Sequence, residues 1–189
     1  MGVAGRLLNP LGEPISSKTA DKVINPEEAP KNKEKKTAKR SIVVEKKLSF
    51  YNTHTGESIK NVVFWAGNYI GENLTLINKL FRDHRTGDIA KIDLKLLHLL
   101  HLLHHKLDVA APFHLISGFR SRATNAMLHE RSDGVARQSQ HTLGKAADIA
   151  LPGVRSLRDI RRAAKMLGLG GVGYYSQFVH VDVGRVRYW

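Results

Sequence analysis

Cysteine is absent from all 189 residues. Thiol chemistry and thiolate-rich structural zinc sites are therefore both excluded. The absence leaves the redox compartment open. Also lacking is any apolar run of about 20 residues, the length that a membrane-spanning helix needs. The stretch behind Met1 has no apolar core of about 7 to 15 residues, so no secretory signal is visible. Gly5-Arg6-Leu7-Leu8 is too short to serve as one. No internal repeat of fixed period appears, and residues 1–41 contain no aromatic side chain.

Charge is what the chain has in excess. Thirty Lys and Arg against 17 Asp and Glu give a formal net charge of +13. The basic residues are scattered among acids, and no run interleaves aromatics with Lys and Arg as an RNA-binding sheet would. Nucleic acid is not expected as a partner; long-range attraction to an anionic polymer suits the charge as well. Asn-Pro, Glu-Pro and Ala-Pro pairs and the charge-dense run Lys31–Arg40 mark residues 1–41 as a disordered basic tail or linker. Residues 42–189 then form one domain with enough length for a sizeable core.

Within that domain the periodicities alternate between strand and helix. Ile42–Glu45 and Lys47–Asn52 read as opening strands, and a turn at His54–Glu57 leads into a strand over Ser58–Trp65. Helices are expected over Asn73–Phe81, Ala123–Glu130 and Arg155–Leu167. The clearest helix follows Asp93, a good N-cap, with Leu96, Leu100, Leu103 and Leu107 as its buried stripe. His98, His101 and His105 share a helical spacing there, but with no carboxylate among them they read as the polar face, not as a metal site. Phe113–Ser117 reads as a strand that delivers Arg120 on the next turn, and Gly168–Gly173 as a flexible turn. The expected class is α+β: a small, mainly antiparallel sheet with helices packed around it.

The chemistry concentrates in Ser139-Gln-His141-Thr-Leu-Gly144-Lys-Ala146-Ala-Asp148 and in Phe178-Val-His180-Val-Asp182. His141, Asp148 and His180 supply two imidazoles and a carboxylate, a ligand set for catalytic zinc with a fourth position open to water. Zinc lowers the pKa of bound water to about 7, so a hydrolytic nucleophile needs neither serine nor cysteine. Ala146–Leu151 looks like a buried strand carrying Asp148, with His141 on the loop or strand before it. In Gln177–Val183, residues Phe178, His180 and Asp182 share one strand face. Two adjacent strands would then bring the three ligands together.

These residues resemble the metal motif of the zinc D-alanyl-D-alanine carboxypeptidase superfamily, Ser-x-His-x-x-Gly-x-Ala-x-Asp followed by a second His. That superfamily also holds phage endolysins and the hedgehog signalling domain. Ser139, His141, Gly144, Ala146 and Asp148 fill the first part of the motif, and His180 supplies the second. The segments from Leu48, Phe81, Ile116 and Gly170, with the ending from Phe178, resemble more narrowly the MepK-type murein endopeptidases, over residues 48–189. The resemblance implies a zinc peptidase of the periplasm or cell wall that cuts peptide cross-links in peptidoglycan, especially those joining two diaminopimelate residues. It implies His141, Asp148 and His180 as the Zn2+ ligands, Arg120 facing the substrate or its developing oxyanion, and Ser139 beside the substrate.

Where carboxypeptidase-like members carry a Glu general base three residues before the final His, this chain has Gln177. Val-His-Val-Asp therefore offers two alignments. Either His180 binds zinc and Asp182 acts as base, or His180 is the base and Asp182 binds zinc; imidazole being the commoner zinc ligand favours the first. The missing Glu also leaves open a catalytically silent, zinc-bearing wall-binding module, as in hedgehog-like relatives.

Overall fold

Alternation at every second residue builds the first strand. In the computed structural model, which describes residues 44–132 and 134–189, β1 (Glu45–Asn52) turns Leu48, Phe50 and Asn52 inward. Asn52 Oδ1 then accepts the backbone N–H groups of His54 (2.9 Å) and Thr55 (3.2 Å). This side-chain turn returns the chain as β2 (Ser58–Ala66), antiparallel to β1, which is the expected hairpin. The tail expected over residues 1–41 lies outside the described residues, as do the first two positions of the strand expected from Ile42.

Helix α1 (Gly71–Leu80) packs on β2, and α2 (Leu94–Leu107) starts at the expected cap, where the Asp93 side chain accepts the N–H of Lys95 at 2.8 Å. Leu96, Leu100 and Leu103 are buried as the stripe requires, Leu97 and Leu99 widen it, and Leu107 is only half-buried. The remaining elements are β3 (Phe113–Ser117), α3 (Arg122–Arg131), a 3-10 turn (Gln140–Leu143), β4 (Ala146–Ala150), α4 (Leu157–Leu167), β5 (Gly171–Tyr174), β6 (Val179–Asp182) and β7 (Arg187–Tyr188).

The strands form one sheet in the order β2-β1-β3-β4-β6-β5-β7. Only β1–β3 and β5–β7 are parallel pairs, so the sheet is mixed but mainly antiparallel and the class is α+β, as expected. Helices α2 and α4 pack on each other over the sheet. Phe50 sits at the middle of the core, edge-on to Phe81 at 5.0 Å and stacked on Phe113 at 5.9 Å. Among the described residues no helix is long and apolar enough to cross a membrane.

One expectation is corrected. The flexible turn over Gly168–Gly173 ends early, because Gly171–Tyr174 is strand β5, paired with β6 on one side and β7 on the other. Glycine weakens a strand in isolation. Here it is needed for close approach, since a Cβ on Gly173 would lie 2.6 Å from the Trp189 ring.

Candidate metal centre

The 3-10 turn is held at both ends. Ser139 caps it, its Oγ accepting the His141 N–H at 3.3 Å. Gly144 closes it at φ 65°, with the Lys91 carbonyl where a Cβ would stand. The Gly144 carbonyl accepts the Asp93 N–H at 2.9 Å, tying the turn to the start of α2. His141 thus projects from a fixed loop toward the interior strands β4 and β6, 1% exposed.

Asp148 lies within β4 and His180 directly opposite it in β6, in antiparallel register. Side chains of directly opposed residues share a sheet face. His141 Nε2 is 3.2 Å from Asp148 Oδ1 and 3.1 Å from His180 Nδ1, and His180 Nδ1 is 2.8 Å from Asp148 Oδ1. Sequence positions seven and 39 residues apart therefore meet at one point. His141, Asp148 and His180 are the one such three-ligand group among the described residues.

The outer atoms decide what the inner atoms can do. His141 Nδ1 lies 2.6 Å from the Gly118 carbonyl, and His180 Nε2 lies 3.1 Å from Asp182 Oδ2. Each of those nitrogens must carry the proton, since its partner only accepts. With both rings neutral, the inner nitrogens are lone-pair acceptors facing a carboxylate oxygen, three acceptors in mutual contact. A cation resolves that repulsion. Tetrahedral ligands at about 2.0–2.2 Å from zinc stand roughly 3.3–3.5 Å apart, so the observed spacings need to open by roughly 0.1–0.7 Å. The residues fit the ion.

The electrostatics of His141 and Asp148 agree with this donor set, whereas those of His180 favour a proton on the ring. Burial lowers the proton affinity of His141. For Asp148, burial acts to raise the pKa, but the neighbouring imidazoles of His141 and His180 hold it well below the usual carboxylate range. His180 is raised despite its burial, by the carboxylates of Asp148 and Asp182.

Arg120 reaches Asp148 from the strand-to-helix turn. Its Nη2 pairs with Asp148 Oδ2, leaving Oδ1 for the cluster, while its Nε donates to Ser117 Oγ at 2.9 Å. Its backbone N–H donates to the His141 carbonyl at 3.2 Å. The turn is braced by buried Asp83, which accepts the N–H groups of Ser121 (2.8 Å) and Arg85 (2.9 Å). His84 stacks on His54 with ring centres 3.8 Å apart, beside that brace and outside the ligand cluster. The α2 histidines diverge, His98 to Lys46 and Tyr69, and His101 to the Lys47 carbonyl.

Asp182 stands behind His180, not in the cleft. It is fully buried and accepts N–H groups from Gly171 (3.0 Å) and Gly184 (2.8 Å), with Arg187 Nη2 at 2.8 Å from its Oδ2. Burial acts to raise its pKa, but the bonds from His180, Gly184 and Gly171 hold it well below the usual range. Its oxygens do not join the His141–Asp148–His180 cluster, so the alignment that made Asp182 a ligand has no counterpart in this geometry.

A cleft of about 190 Å³ opens over the cluster, with Arg120 and Ser139 in its lining and Tyr175, Phe178 and Trp189 as an aromatic wall. The Trp189 indole stands 5.3 Å from the His180 ring and donates to Tyr175 Oη at 2.9 Å. Sequence reasoning missed Trp189 and Arg187, whose place depends on β7 pairing with β5. The strand period that placed Phe178 on the His180 face was signal enough for that residue.

A His-Asp-His set beneath an open cleft has the donor composition of a mononuclear metallopeptidase site. The chain belongs to the Peptidoglycan L,D-endopeptidase MepK family, whose model matches residues 40–189. It is 46% identical over 144 residues to Peptidoglycan L,D-endopeptidase MepK of Escherichia coli (strain K12), an alignment covering 75% of this chain and 79% of that protein. It is 38% identical over 145 residues to a probable peptidoglycan L,D-endopeptidase MepK of Haemophilus influenzae, covering 75% and 77%. The crystal structure of Serratia marcescens L-Ala D-Glu endopeptidase ChiX overlaps 49% of this chain and 80% of that one, with a TM-score of 0.35 and 21% identity.

Proposed function

We propose that this chain is a zinc-dependent peptidase that hydrolyses peptide cross-links of bacterial peptidoglycan, including links between two diaminopimelate residues. Its location is then the periplasm or cell wall, where that polymer lies, and residues 42–189 are its catalytic domain. Family membership supports the substrate class. The observation that supports the metal is the convergence of three lone-pair atoms within 3.2 Å of one another, each ring held in one tautomer from behind.

His141, Asp148 and His180 are assigned as the ligands. Zinc, when bound, supplies Lewis acidity toward a carbonyl oxygen and toward water. The Gly118 carbonyl and Asp182 orient the two imidazoles, and such partners also raise ligand basicity. Asp182 is therefore assigned as a positioning residue, replacing the base role considered from sequence. Arg120 fixes Asp148 through one nitrogen, and its permanent charge faces the cleft where negative charge develops on the scissile carbonyl. Ser139 holds the His141 turn and lines the cleft beside the peptide. Tyr175, Phe178 and Trp189 offer an apolar wall against which a stem peptide excludes water.

One observation favours a second reading, a zinc-bearing wall-binding module without turnover. Among the described residues lining the cleft, Asp148 is the only side-chain carboxylate, so none of them is a separate acid ready as base. Digestion of purified murein separates the two. New soluble muropeptides from wild type, lost together with bound zinc in His141→Ala, are expected; co-sedimentation without cleavage would establish the binder.

A further inference from the structure

A second groove, of about 720 Å³, lies between α3 and the segment leading into the 3-10 turn. Gln138, Ser139 and Gln140 line both it and the cleft over His141, so the two lie on either side of that shared wall. Its walls carry Arg122, Arg137 and Glu130. The segment is anchored rather than loose, because buried Asn125 on α3 donates through Nδ2 to the carbonyls of Ala136 and Arg137, each at 3.1 Å.

Arg137 is aimed by a relay. His129 Nδ1 lies 2.6 Å from the Val135 carbonyl, which fixes the proton on that nitrogen and leaves Nε2 as an acceptor. Arg137 Nε donates to His129 Nε2 at 3.1 Å. With Nε committed to the protein, the terminal nitrogens of the guanidinium form a preset fork of the kind that grips a carboxylate with two parallel bonds. Arg122, on the first turn of α3, lines the same groove and adds a second permanent positive charge. Glu130 on that lining opposes a densely charged polyanion, which leaves a single carboxylate on a peptide as the ligand that fits.

We propose that this groove is a carboxylate subsite for the peptide arm extending beyond the cleaved bond of a cross-linked substrate, with Arg137 as its main contact and Arg122 in support. The proposal rests on the peptidase reading for the identity of the arm. An extended chain spans about 3.3–3.6 Å per residue, so an arm of three or four residues reaches about 10–14 Å beyond the cleaved bond, in the direction of the shared wall.

The test uses a purified cross-linked muropeptide dimer and the same dimer with its free carboxylates amidated. Binding to the full chain is measured by calorimetry with chelator present, and KM is measured with zinc. Wild type is expected to bind the acid about tenfold tighter than the amide, the ratio that about 1.4 kcal/mol provides. Arg137→Gln is expected to reduce that preference to less than twofold and to raise KM for the acid alone, with Arg122→Gln giving a smaller loss. A preference that is absent in wild type, or retained in both variants, overturns the subsite even if cleavage is normal. Lack of cleavage by wild type, with the acid preference present and lost in Arg137→Gln, removes the peptidase reading and leaves the groove as a carboxylate-binding site.

Discussion

His180 and Asp182 sit two residues apart on the same face of β6, with His180 Nε2 3.1 Å from Asp182 Oδ2. That contact turns His180 Nδ1 toward Asp148 and His141. If Asp182 positions the ring, its loss is felt in metal affinity; if it were the base, in the chemical step.

Asp182→Asn is therefore expected to weaken zinc binding by about 10- to 100-fold, the usual cost of removing such a partner, while most of kcat returns at saturating zinc. Chelator-competition titration alongside turnover measures both. A loss of about 10²–10⁴ in kcat with zinc affinity intact would restore the base assignment.

Arg120→Lys keeps the charge but cannot hold Ser117 and Asp148 at once, because a single ammonium replaces the planar fork. The expected result is a fall of about 10²–10³ in kcat at saturating zinc. Steady-state kinetics on muropeptide dimers read the effect. Unchanged kcat would remove Arg120 from the reaction.

Gly144→Ala introduces a side chain at positive φ with the Lys91 carbonyl in its path. The left-handed conformation alone costs roughly 1–2 kcal/mol for a residue with a Cβ. For a chain of this size that is a drop of about 2–8 °C in Tm, with the backbone clash adding to it and zinc affinity falling as the His141 turn shifts. Differential scanning calorimetry and metal titration test this, and a wild-type Tm would contradict it.

Asp83 provides the pH test. Burial opposes its ionisation, but bonds from Thr124, Arg85 and Ser121 outweigh burial and set its pKa at about 2, against an ordinary 3.8. A folded-state pKa below the unfolded one contributes stability that is fully present above pH 4 and is lost as pH falls through about 2. Asp83→Asn should lower stability at neutral pH and flatten the acid limb between those values. Urea melts at a series of pH values show it; parallel acid limbs for variant and wild type would exclude Asp83 as the cause.

Much of this was written in local pattern. The alternation Leu48, Phe50, Asn52 gives β1 its inward face, and the leucine spacing after Asp93 gives α2. The motif from Ser139 to Asp148 with His180 was legible as a candidate ligand set, because residue type and strand period are properties of the chain itself. The Gly171–Tyr174 strand was not legible, since its glycines make sense only against Trp189 and β6. The surroundings of Asp182 were not legible either. From sequence its carboxylate is as available as any other, and only the packing of Gly171, Gly184 and Arg187 around it commits its oxygens.

The sequence by itself determined which groups exist and which local conformations they favour: two imidazoles and a carboxylate without a thiol, a capped leucine helix, a glycine where the backbone turns left-handed. Tertiary structure alone decided which nitrogen of each histidine faces inward, that Arg120 holds Asp148, and that Arg137 is aimed through His129 into a groove beside the metal cleft. The physical reason is range. Periodicity and capping act over a few residues, whereas a tautomer is set by an acceptor delivered from a distant strand or loop.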